Sequence, residues 1–132
     1  MDSLGEQIVG AFYDVYNDLG HGYLEHTYVR AVQIALRHRS IESSREVPTT
    51  VYFRGEAVGE YRMDLVVAGQ IVVECKRADR ITPAHQAQLL HYLKSTRYDV
   101  GLLLNFGPRP EYKRMIFDTA RRRGGGAPGE IG

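Results

Sequence analysis

The sequence predicts a single α/β domain, and three observations carry that prediction. Apolar residues recur at helical spacing up to Arg39, alternating extended runs follow from Glu46, and Val100–Phe106 reads VGLLLNF, continuously apolar. A short apolar run of that last kind belongs to a strand covered on both faces, so helices must lie on each side of a sheet.

The elements follow in order. From Leu4, the residues Ile8, Phe12, Val15, Tyr16 and Leu19 form one helical stripe, which Gly20-His21-Gly22 stops. A second helix is predicted from near Leu24 to about Arg39, burying Tyr28, Ala31, Val32, Ala35 and Leu36. Val47, Thr49, Val51 and Phe53 then alternate, Arg54-Gly55 turns, and a second extended run covers Ala57 to Val67. Ala68-Gly69-Gln70 makes the next turn, into Ile71 to Cys75. Thr82-Pro83 supplies an N-cap and first residue for a helix through about Ser95. The apolar strand at Val100 follows, then a last helix or strand around Tyr112 to Thr119. We take residues 1–120 as one domain and 121–132, RRGGGAPGEIG with its preceding arginine, as a flexible basic, glycine-rich tail with nothing to bury.

Composition limits the function classes. A chain of 132 residues, 43% of them hydrophobic, holds one core and not two. Its formal charge of +1 neither requires nor excludes a polyanionic partner, so local placement must decide. One cysteine excludes an internal disulfide framework, and no apolar run reaches the ~18 residues of a membrane span. The N-terminus MDSLGEQIVGAF carries acids where a signal peptide needs bases, so we expect a cytoplasmic protein with no membrane partner.

The strand Val72–Lys76 poses the main chemical question. Alternation sets Val72, Glu74 and Lys76 on one face, with Val73 and Cys75 on the other. Across the turn, Asp64 lies opposite Glu74 if the loop has three residues, and within one position of it otherwise. Two acids and one lysine so converge among valines, leucines and isoleucines, where unpaired charge is costly. A structural ion pair of Lys76 with either acid is one explanation. The second carboxylate favours another: a net negative hole suited to a hard divalent cation.

The remaining polar residues add less. Five histidines show no tight ligand spacing, and with Cys75 alone there is no zinc set. Gln88 and Tyr92 are four apart on one helix and project from one face. Lys76, Arg77, Arg80, Lys94 and Arg97 form a basic rim, with Arg121-Arg122-Arg123 beyond it. The apolar strand Val100–Phe106 is expected to expose an edge to which a partner can dock.

Asp64, Glu74 and Lys76 resemble the signature of the PD-(D/E)XK nuclease superfamily, and GYLEHTY, Gly22 to Tyr28, resembles the motif of its GxxExxY family. The segments VYFRGEAVGEYRMDLVV, VECK, AQLLHYLKST and GLLLNFG share the likeness, which spans Ile8 to Met115. The resemblance implies a restriction-endonuclease-like core, a mixed central β-sheet flanked by α-helices. It also implies a metal-dependent nuclease that acts on nucleic acid, DNA in preference to RNA. Glu25, Asp64 and Glu74 would hold Mg²⁺ or Mn²⁺, and Lys76 would complete the catalytic set by orienting the attacking water. The Gln-x-x-x-Tyr spacing resembles that of recombination exonucleases, which makes Gln88 and Tyr92, with Arg77, candidates to contact substrate. The alternative is a non-catalytic module that binds nucleic acid or protein on the same fold. So small a chain has little surface for choosing a target, so a homodimer or a partner protein is expected to supply specificity.

Overall fold

The computed structural model describes residues 1–117. The predicted tail 121–132, the end of the domain at 118–120 and the Arg121–Arg123 group lie outside these described residues.

Helix α1 (Ser3–Leu19) begins where the Asp2 carboxylate accepts from the Gly5 N–H at 2.6 Å, and ends at Gly20, whose φ of 65° suits a residue without Cβ. Helix α2 spans Glu25–His38. Strands β1 (Ser43–Phe53) and β2 (Glu56–Val67) form a hairpin, in which Arg54 and Gly55 both take positive φ, 50° and 81°, as a tight two-residue loop demands. Strand β3 is Ile71–Lys76, helix α3 is Pro83–Lys94, β4 is Val100–Phe106 and β5 is Pro110–Ile116. Thr82 caps α3: its hydroxyl accepts from His85 N–H, while the His85 ring accepts from Thr82 N–H.

The five strands lie in the order β1-β2-β3-β4-β5, with β3 and β4 parallel and the other neighbours antiparallel. A mixed sheet flanked by helices is therefore present, as the sequence predicts. Alternate residues of the strands feed two cores. Leu65, Val73, Cys75, Leu102, Leu104 and Phe106 pack with α1 and α2, whereas Val66, Val72 and Leu103 pack with Leu89 and Leu93 of α3. Gly101 lets α3 approach closely, since a Cβ there would lie 2.7 Å from a Leu89 methyl. Of the residues expected to be buried in α2, Tyr28, Val32 and Leu36 are, together with Val29, while Ala31 and Ala35 are only partly covered.

One expectation is corrected. β4 is no edge: it lies between β3 and β5 and is buried along nearly its whole length, so it offers no docking edge. The turn at Gly107–Arg109 brings the last strand back antiparallel outside β4, and the edges of the sheet are β1 and β5.

Candidate functional site

The site is built at a break in the sheet. The β2–β3 ladder runs from Val67↔Ile71 to Leu65↔Val73 and stops, although both strands continue. Extended by one residue, the register sets Asp64 opposite Glu74, as the three-residue loop 68–70 requires. Here the side chains replace the backbone pairing. Glu74 Oε2 accepts from the Asp64 N–H at 2.7 Å, and Asp64 Oδ2 accepts from the Cys75 N–H at 2.8 Å. Each carboxylate is thereby fixed by the other strand's main chain.

The same point is irregular on the other side of β2. The β1–β2 ladder passes from Arg45↔Leu65 to Val47↔Met63 and omits Glu46, which has φ of 54°. A non-glycine residue in this region is strained. The interruption re-phases β2, so Leu65 joins the α1–α2 core while Met63, two residues away, joins the α3 core.

Burial decides the electrostatics. Glu74 is only 3% exposed and neighbours Leu103 on β4. Burial first, then the Asp64 charge, hold its carboxyl up to about 8. Asp64 is raised as well, chiefly by burial, with Glu25 and Glu46 adding to the effect against the Cys75 N–H bond and Lys76. Lys76 does not neutralise the pair directly: among the described residues it forms no ion pair, and its Nζ donates to Gln88 Oε1 at 2.8 Å. The structural ion pair is thus not what holds these residues together.

A cleft of about 480 Å³ opens beside Asp64, lined by Leu24, Glu25, His26, Val29, Arg45, Glu46 and Arg77. Glu25 starts α2, whose N-cap Leu24 provides no side-chain cap. Tyr28 sets the loop before it: its hydroxyl donates to Gly20 O at 2.8 Å and accepts from Tyr23 N–H at 3.2 Å, and its ring stacks on Phe106 at 4.1 Å. Arg77 closes the arrangement by donating to Tyr23 O at 2.9 Å. Beyond β3, the buried Asn105 side chain bonds both N–H and C=O of Ala78, which fixes the chain leaving Lys76.

The predicted residues therefore meet unequally. Asp64 and Glu74 are adjacent, Lys76 and Gln88 are bonded to one another, and Glu25, Asp64 and Arg77 line one cleft. Tyr92 separates from Gln88: it is 7% exposed, packed in the α3 core, while Gln88 is exposed. Among the described residues, no three His, Cys, Asp or Glu side chains stand close enough to hold a metal ion. The donor chemistry nevertheless suits a hard cation. Two carboxylates from facing strands each spend one oxygen on a cross-strand bond, which leaves a second oxygen as a ligand, and their raised proton affinity marks a site short of positive charge. Glu46 was not anticipated. An acid between Arg45 and Val47 looks like an outward strand position, yet Glu46 lines the cleft with Asp64 and its charge helps to raise that carboxyl.

The family model of the PD-(D/E)XK nuclease superfamily matches residues 2–115. No curated protein matches the chain. The solved structure of SSO0001 superposes with a TM-score of 0.53 over 86% of this chain and 68% of its own, at 17% identity, a likeness of fold. No helix among the described residues is long and apolar enough to cross a membrane.

Proposed function

Because the chain belongs to the PD-(D/E)XK nuclease superfamily, we propose that it hydrolyses phosphodiester bonds of nucleic acid, DNA in preference to RNA, at the Asp64–Glu74 site. The observation that carries this reading is the crosswise bonding of a buried carboxylate, Glu74, and a half-buried one, Asp64, with which no cation among the described residues forms an ion pair. In the proposal, Asp64 and Glu74 hold Mg²⁺ or Mn²⁺, with Glu25 reaching in from the cleft. The ion would lower the pKa of a bound water and offset charge on the scissile phosphate. Lys76, steadied by Gln88, donates to the attacking oxygen and stabilises charge developing on the phosphoryl group. Arg77 meets a flanking phosphate from the cleft wall. Tyr92 supports the acids from within the core.

We assign the chain, within the superfamily, to the GxxExxY family. Gly22, Glu25 and Tyr28 support this, since the Tyr28 hydroxyl ties down the loop that presents Glu25. Specificity would come from a second copy or a partner protein, and the cytoplasm is the expected compartment. A non-catalytic binding module is favoured by one observation, that Glu25 does not close with the other acids into a three-residue metal group.

Cleavage assays decide between the two. Single-stranded, duplex and branched DNA and RNA are incubated with Mg²⁺ or Mn²⁺, using wild type, Asp64→Ala and Lys76→Ala. Metal-dependent cutting lost in both variants is expected. No cutting by wild type, with no metal binding by calorimetry, would leave the binding module as the reading.

A further inference from the structure

Tyr61 stands on β2 three residues before Asp64, or ~10 Å along the strand. It is 49% exposed, yet its ring is held. A Cβ on Gly59 would lie 2.8 Å from its ring, so the ring lies over a glycine backbone where any other residue would displace it. Its centroid is 6.3 Å from that of Tyr92, at 56°. Tyr92 in turn packs between Met63, Leu89 and Leu93, and its hydroxyl, pushed up to about 12 by burial, is within the influence of Glu74, Asp64 and Tyr61. Tyr92 thus joins the exposed ring to the acidic pair.

An exposed, pre-oriented ring with one free face beside a polar site has a specific use. Every nucleobase offers a π-face, and stacking on an aromatic side chain needs no sequence readout. Bases within a duplex are already stacked, whereas those of a single strand, gap or flipped nucleotide are not. We propose that Tyr61 stacks an unstacked nucleobase of the substrate, a few nucleotides at most from the Asp64–Glu74 site. The inference rests on the nuclease reading and deepens it: the substrate contains a single-stranded segment. Arg54 on the same hairpin, over the Phe53 ring at 5.1 Å, supplies a cation for the backbone of such a strand.

The test measures binding of a short 2-aminopurine-labelled single-stranded oligonucleotide and its duplex by anisotropy, on the Lys76→Ala background so that binding is read apart from cutting. Tyr61→Leu is expected to weaken single-strand binding about 5- to 150-fold, and Tyr61→Phe to preserve it. The slope of affinity against salt should not change, because no phosphate contact is lost. Gly59→Ala, which displaces the ring while keeping it, should weaken binding too, and serves if Tyr61→Leu fails to fold. Quenching of the 2-aminopurine emission should vanish with the ring. Unchanged affinity in Tyr61→Leu, an equal loss in Tyr61→Phe, or an equal loss for duplex overturns the inference alone. So does a fall in molecular mass in Tyr61→Leu with affinity intact, which would assign the ring to a protein contact. If no variant, nor the parent, binds any nucleic acid, the nuclease reading falls with it.

Discussion

At Glu74 a carboxyl held up to about 8 links the site to folding. The unfolded chain releases this proton near 4.5, while the fold retains it, so metal-free stability falls as pH rises from about 4.5 to about 8. Glu74→Gln keeps an oxygen for the Asp64 N–H and removes the charge. We expect it to flatten the pH dependence of Tm in that window and to gain ~2 kcal/mol at pH 8, by thermal denaturation. Added Mg²⁺ should raise the wild-type Tm at pH 8 and leave Glu74→Gln unmoved. A second outcome concerns Gln88, which is exposed and bonds Lys76. On the proposed role of Lys76, Gln88→Ala should lower kcat about 10-fold while changing stability by less than about 0.5 kcal/mol. The facing of Asp64 and Glu74 was legible because strand periodicity and a three-residue loop fix it. Glu46 was not, because nothing in an acid's identity announces a left-handed backbone. The Lys76–Gln88 bond was hidden for a different reason: it joins elements whose relative placement only packing decides.

Among the elements, helix α2 shows how a motif residue acts at a distance from the chemistry. Tyr28 is fully buried, and its hydroxyl satisfies Gly20 C=O and Tyr23 N–H. Tyr28→Phe would leave both groups without that partner at a cost of about 1–3 kcal/mol. A shifted denaturant midpoint at unchanged m-value is the expected result, with reduced cleavage because the loop before Glu25 loosens. Both helical stripes and the covered strand β4 were readable from periodicity alone, since each buries a regular face. The β1–β2 hairpin was readable as two strands but not as a projecting one. Val51, Phe53, Val58 and Tyr61 look like core in an alternating pattern, and all are exposed in the fold. Sheet order was unreadable for a related reason: β4 is apolar enough to be either central or a docking edge, and the return of β5 decides.

For the whole molecule, two cores on opposite sides of one sheet imply uneven stability. β3 and β4 are buried from both sides, whereas the outer hairpin has water around most of its side chains. Hydrogen exchange should therefore be fastest for amides around Tyr52–Gly59 and slowest in β3 and β4. Cys75 gives that contrast a chemical clock. Its thiol is fully buried on the α1–α2 side, pushed well up by burial, while its amide holds the Asp64 carboxylate. A thiol reagent can reach it only when β3 leaves the sheet, and that event also releases the carboxylate. The rate of Cys75 labelling thus counts the openings of the site itself, and a cation bound between the acids should slow it.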